Sequence, residues 1–306
     1  MDAKDLRRIP TISEFHRSRG LPPPEHPLIS VVDYADIRHS TDNNRRRWAL
    51  DFYSISVKGG EYTRFTYGHQ AGDFEGGSFF CMAPGQVYGV EIGPDYQPAT
   101  AGWLLLVHPD FLWGTVLAKS IRQYNFFEYG VNEALFLSPR EEATVNRTVD
   151  LIRQEYTGNI DKYSKRIICS HLENLLSYAE RFYHRQFTTR HKANHEILVR
   201  LETLLTDYFA NDDLGSRGLP SVQYVAEELH VSASYLGSML RVHTGQSTQQ
   251  HIHDHLIAKA KVCLSTTDLS VSEIAYTLGF EHSQSFSKLF RTKTGQSPST
   301  FRAAFN

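Results

Sequence analysis

Ser221 to Ser247 reads SVQYVAEELHVSASYLGSMLRVHTGQS, and Ser270 to Ser297 reads SVSEIAYTLGFEHSQSFSKLFRTKTGQS. The two stretches repeat one another about fifty residues apart. Leu229 answers Leu278, Val231 answers Phe280, Arg241 answers Arg291, and Thr244-Gly245-Gln246-Ser247 answers Thr294-Gly295-Gln296-Ser297. A repeat of this kind fixes architecture before any single residue does. Each copy reads as a helix, a tight turn and a second helix, and a tandem pair of helix-turn-helix units points at duplex DNA.

The local chemistry supports that reading. Ser270-Val271-Ser272-Glu273 is a capping box, in which serine and glutamate satisfy each other's backbone donors at a helix start. Ile274, Ala275 and Leu278 then face inward, Gly279 makes the turn, and Phe280, Phe286, Leu289 and Phe290 close a three-helix core. In the first copy Val225, Ala226, Leu229, Val231, Leu236, Met239 and Leu240 repeat the plan. His230 stands at its turn, and histidine is among the few side chains that tolerate positive φ. Thr248 to Ser265 reads as a connecting helix about 27 Å long at 1.5 Å per residue. With the offset of the units added, that length sets the two second helices roughly one DNA turn, about 34 Å, apart on one face. Upstream, Ile197, Leu198, Leu201, Leu204, Leu205, Tyr208 and Phe209 mark a support helix, and the polar, basic residues 184–194 read as a linker.

The N-terminal half has a different period. Between Leu28 and His108, short aromatic and β-branched runs broken by Gly, Pro, Asn and Asp suggest a small antiparallel barrel or sandwich. From Ser138-Pro139-Arg140-Glu141 the spacing becomes helical, with a serine cap and proline in the first turn. Val145, Val149, Ile152 and Tyr156 form one stripe; Ile168, Leu172, Leu175, Leu176, Ala179, Phe182 and Tyr183 form another, giving a helical hairpin over about 138–183. The expected class is α+β: a β-barrel with a helical hairpin over 1–183, a linker over 184–194, and an all-α domain over 195–306 with helix-turn-helix units at about 221–247 and 270–297. Thirty-two Lys and Arg against 34 Asp and Glu leave the net charge near zero. From Ser283 onward, however, Lys288, Arg291, Lys293 and Arg302 meet no acidic residue, which fits either a DNA-facing patch or a solvated helix face. No apolar run reaches the length of a membrane span and no signal peptide is evident, so a cytoplasmic protein is expected. Cys81, Cys169 and Cys263 are far apart and read as reduced thiols.

Taken together, Ile274-Ala275, Leu278-Gly279-Phe280, Ser285-Phe286, Phe290-Arg291, Thr294-Gly295, Pro298 and Phe301-Arg302 resemble the signature of the AraC/XylS family of transcription regulators, over roughly Glu196 to Phe305. The N-terminal half is similar in layout to the cupin-like sensor domains of that family, through Asp51-Phe52-Tyr53 and Pro84-Gly85-Gln86-Val87. The resemblance implies a transcription regulator and no enzyme: an activator that binds promoter DNA as a homodimer, answers a small-molecule effector and contacts RNA polymerase. Base-facing positions carry over to Ser234, Gly237, Ser238 and Arg241 in the first unit and to Ser283, Gln284, Ser287 and Lys288 in the second. Gln284 can bond an adenine edge and Lys288 can reach guanine, whereas two serines and a glycine read little. Arg291, Lys293, Thr294 and Arg302 are assigned to phosphates. The family usually carries arginine where His255 stands, a departure that could weaken anchoring of the connecting helix or make it sensitive to pH.

Phe52, Tyr53, Phe65, Phe80, Tyr88 and Trp103 are candidates for an effector pocket, although strand alternation sends about half of such rings the other way. Two other classes of function stay open: a metal-binding cupin sensor or enzyme fused to a DNA-binding module, and a regulator whose N-terminal domain only dimerises. Against the first, His39, His69, His108, Glu61, Glu75 and Glu91 lack the short spacing of a metal site, so neither metal nor cofactor is expected. His251 and His255 lie one turn apart in the connecting helix without an evident third ligand, and read as a surface pair.

Overall fold

A computed structural model of the protein describes residues 6–38, 47–59, 77–89, 101–130, 133–158, 160–189, 191–211 and 214–304. The chain divides into two compact units, Met1–Gln186 and Phe187–Asn306. In the first, a five-stranded sheet has the order β2 (Ile29–Asp33), β7 (Ala101–Val107), β4 (Tyr53–Gly59), β5 (Ser78–Met82) and β8 (Leu135–Phe136), with every pair antiparallel. A second sheet orders β1 (Leu6–Ile9), β3 (Arg47–Leu50) and β6 (Val87–Gly89), and β1 pairs with β3 in parallel. The two are not hydrogen-bonded into a closed barrel among the described residues. A shared core joins them: Ile9, Trp48 and Leu50 of the small sheet, with Ile12 and Phe15 of α1 (Ile12–Ser18), pack with Leu104 and Leu106 of β7.

The opposite face of the large sheet carries Ile55, Val57, Phe79 and Leu105, each at most 1% exposed. Short helices α2 (Pro109–Leu112) and α3 (Leu117–Ser120) follow β7, and the long helix α4 (Pro139–Thr157) and α5 (Ser164–Thr189) as far as Gln186 complete this unit. The Ser138–Glu141 capping box is present at the start of α4. Arg153 of α4 clamps Asp33 of β2 with two bonds of 3.0 and 2.6 Å, and Trp103 Nε1 donates to Asn146 Oδ1 at 2.7 Å. Residues 184–189, read above as linker, continue α5, and α6 (His191–Ala210) follows within two residues. The segment contains no helix breaker. Gln186 and Phe187 are buried, so the polar composition conceals residues fixed by packing.

The second unit is helical: α6, α7 (Leu214–Arg217), α8 (Val222–Glu228), α9 (Ala233–Thr244), α10 (Thr248–Thr266), α11 (Val271–Thr277), α12 (Ser283–Thr294) and α13 (Pro298–Arg302). Leu201, Leu205, Tyr208 and Phe209 of α6, and Ile252, Leu256, Ile257, Ala260 and Leu264 of α10, are buried. Helix α10 packs on α6 and α9 and also on α11, α12 and α13. No helix among the described residues is long and apolar enough to cross a membrane. All three cysteines are free thiols.

Candidate nucleic-acid interface

Each half of the helical unit is a helix, a sharp turn and a second helix. The first turn places His230 at φ 59°, and the second places Gly279 at φ 84°. A Cβ on Gly279 would lie 2.8 Å from the carbonyl oxygen of Leu214, so α7 closes over this turn more tightly than a side chain permits. Beneath the turns, Val225, Ala226, Leu236 and Leu240 in one half and Ile274, Ala275, Phe286 and Phe290 in the other are fully buried. Phe286 packs against Phe280 and Phe290 at centroid distances of 5.5 and 5.8 Å.

The repeated Thr-Gly-Gln-Ser has a structural job in both places. Gly245 and Gly295 end α9 and α12 in the left-handed conformation, at φ 73° and 80°, where glycine meets no Cβ penalty. Ser247 and Ser297 then cap the next helices through the amides of Gln250 and Thr300. Thr244 and Thr294 each donate a hydroxyl to the carbonyl four residues back, at 2.8 Å, and accept from the glutamine amide at 3.2 and 3.4 Å. Thr294, expected at a phosphate, therefore has its hydroxyl engaged as a stop for α12.

Two more of the expected phosphate ligands are turned inward. Lys293 Nζ is bonded to Asp254 Oδ1 of α10 at 2.7 Å, and Gln246 holds the other carboxylate oxygen at 3.1 Å. Arg302 Nε donates to the Leu264 carbonyl at 3.3 Å, and its Nη2 is buried. Both arginine and lysine thus fasten the last helices to α10. On α12, Gln284, Lys288 and Arg291 are exposed, with Ser283 and Ser287 half-buried beside them. On α9 the corresponding residues are Ser234, Gly237 and Ser238, half-buried, and an exposed Arg241. Tyr235, next to them, is buried with its ring 5.1 Å from that of Phe187. The carbonyl of Phe187 accepts from Asn194 Nδ2 at 2.6 Å, and His243 Nε2 lies 3.0 Å from that carbonyl.

Sequence reasoning missed two acidic residues that order this surface. Asp254 neutralises Lys293, and its signal was a lone carboxylate in the run His251-Ile252-His253-Asp254-His255. Glu202 of α6 takes His255 Nε2 at 3.0 Å and His251 Nδ1 at 3.6 Å, one on each oxygen. His255, the departure from the family pattern, is thereby anchored, and its ring also stacks on Phe209 at 6.3 Å. His253 is pushed below the usual histidine pKa, first by burial and then by Lys293, with Asp254 opposing.

The expected effector residues do not share one face. Phe52 lies in the core between the sheets, and Phe80 shares a strand face with it by register. Tyr53 and Trp103 point the other way, toward Phe127 and α4. Phe65 and the side chain of Tyr88 lie outside the described residues. Of the histidines and glutamates weighed as metal ligands in that half, His39, His69, Glu61, Glu75 and Glu91 also lie outside; His108 caps α2.

Residues 225–304 match the family model described as a helix-turn-helix domain. Among curated proteins, the Msm operon regulatory protein of Streptococcus mutans is 36% identical over 81 residues, 26% of this chain and 29% of that one. The HTH-type transcriptional activator RhaS of Salmonella arizonae is 35% identical over 105 residues, 34% of this chain and 35% of its own length. The chain thus spans about a third of the curated relatives it matches. Among solved structures, the C-terminal domain of AraT, a response regulator from Geobacillus stearothermophilus, is 30% identical, covering 35% of this chain and 84% of that one with a TM-score of 0.31. At that TM-score the likeness carries no weight for the chain as a whole.

Proposed function

We propose that this chain is a DNA-binding transcription regulator of the AraC type, an effector-responsive activator that works in the cytoplasm as a homodimer and meets RNA polymerase at its promoters. The observation that carries the reading is the pair of equivalent helix-turn-helix units built on one shared helix, α10, with exposed Gln284, Lys288 and Arg291 on the second recognition helix. The match to a helix-turn-helix model and the regulator names of the relatives support it.

In this reading α9 and α12 enter successive major grooves of one duplex. Gln284 and Lys288 read base edges, with Ser283 and Ser287 in support, and Ser234, Ser238 and Arg241 make the weaker contacts of the first half. Arg291 meets phosphate; Lys293, Thr294 and Arg302 contribute by holding α12 and α13 in place, since Lys293 Nζ, the Thr294 hydroxyl and Arg302 Nε are bonded within the unit. The N-terminal unit is the sensor.

The test is recovery and sequencing of sheared genomic duplex bound by the purified protein at two salt concentrations. Sites with two half-elements one helical turn apart are expected. Recovery of duplex without any common element would overturn the reading.

A further inference from the structure

The two faces of the five-stranded sheet differ in chemistry. Register places Ser54, Ser56 and Lys58 of β4 opposite Leu106, Leu104 and Gly102 of β7, and paired residues share a face. Leu104 and Leu106 belong to the core between the sheets, so the serines and Lys58 look into that interior. Ser30 of β2, opposite Leu106, and Ser78 of β5, opposite Lys58, extend the same polar row. These four serines are at most 6% exposed. Apolar side chains ordinarily occupy such positions, because a buried hydroxyl contributes little packing and demands partners.

Lys58 ends the row. Its neighbours on both adjacent strands are small, Gly102 and Ser78, so its side chain rises from a low floor. Its walls are aromatic: Nζ lies 5.6 Å from the ring centroid of Tyr34 and 5.6 Å from that of Phe80. Ring faces attract an ammonium without neutralising its charge. Burial lowers the Lys58 pKa, and no carboxylate among the described residues offsets it. A half-buried cation between two rings, beside a row of hydroxyls, is matched by one chemistry: an anion for the ammonium, hydroxyls for the serines, and a C–H face for the rings.

We propose that the Lys58 end of this interior face binds a small hydroxylated anion, a sugar acid or a sugar phosphate, with its charged group on Lys58 Nζ and its hydroxyls on Ser56 and Ser78. This rests on the reading of the N-terminal unit as the sensor and names the class of its effector.

The test uses the full-length protein, thermal shift and titration calorimetry. The probes are D-gluconate, D-glucuronate, glucose 6-phosphate and fructose 6-phosphate, with D-sorbitol and D-glucose as neutral counterparts. At least one anion is expected to raise the melting temperature, since a ligand that binds only the native state stabilises it by mass action; the arm that responds separates carboxylate from phosphate. Lys58→Met and Lys58→Gln are each expected to weaken that anion at least tenfold, and Ser56→Ala several-fold, while their unliganded circular dichroism spectra match the parent. An equal response to the neutral counterparts, a response retained by both Lys58 variants, or no response to any of the four anions overturns the proposal. DNA binding is measured on the same preparations. Sequence-selective binding without an anion response sinks this inference alone, and an anion response without such binding sinks the regulator reading alone.

Discussion

At the scale of single residues, glycines do unlike work at unlike positions, and a histidine does a glycine's work at one of them. Gly237 sits inside α9 in ordinary helical geometry, and a Cβ there would meet only Arg241 Nη1 at 3.8 Å and Thr248 Oγ1 at 3.9 Å, normal contact distances. Gly237→Ala should therefore raise stability by roughly 0.5–1 kcal/mol, the usual cost of glycine in a helix interior. Gly279 is the opposite case. Its φ of 84° and the 2.8 Å approach of the Leu214 carbonyl leave no room, and Gly279→Ala should cost at least about 1–2 kcal/mol from the backbone conformation alone. Chemical denaturation of the two variants checks both signs together. His230 shows why the first turn did without glycine: an L-residue holds φ 59° there, with its amide bonded to the Glu227 carbonyl at 3.0 Å.

Elements owe their order to short local signals and to a few long-range charges. The caps at Ser138 and Ser270 were legible in the sequence because each is decided within four residues; the helix-ending and helix-starting roles of Thr-Gly-Gln-Ser came from the structure. The facing of strand residues was not, because register between distant strands decides it; hence Tyr53 and Trp103 turn toward the helices while Phe80 turns inward. The continuation of α5 through Thr189 was hidden for a related reason, since the partners of Phe187 come from α6 and α9. The α6–α10 junction depends on Glu202 gripping two histidines, a partly exposed arrangement worth about 0.2–1 kcal/mol, and Glu202→Ala should cost that much in denaturant titration. His253 sets a pH dependence of determinable sign. Its folded pKa lies below its unfolded value, first because burial disfavours the charged ring, so its contribution is complete above the ordinary histidine pKa of about 6.5 and is lost as pH falls below it. Melting curves between pH 7.5 and 5.5 should show His253→Asn losing less stability on acidification than the parent.

At the scale of the whole molecule, one connecting helix, α10, carries the second helices of both units, α9 and α12. The presence and order of the two units followed from the repeat; the inward turn of Lys293 and Arg302 needed the structure, because their partners Asp254 and the Leu264 carbonyl lie 39 and 38 residues away in sequence. If α9 and α12 occupy successive grooves on one face of the duplex, then inserting about five base pairs, half of a 10–10.5 base-pair turn, rotates one half-element away. Affinity should collapse on that insertion and largely return with ten. The asymmetry between Ser234, Gly237 and Ser238 on one helix and Gln284 and Lys288 on the other carries the central claim. The most direct test is equilibrium binding of the parent and of the Gln284→Ala, Lys288→Ala double variant to a selected duplex and to single-base changes in each half. The account predicts losses of about 1–3 kcal/mol per change opposite α12, smaller losses opposite α9, and near indifference to the α12 half in the double variant. Larger losses opposite α9, or an unchanged pattern in the double variant, would contradict it.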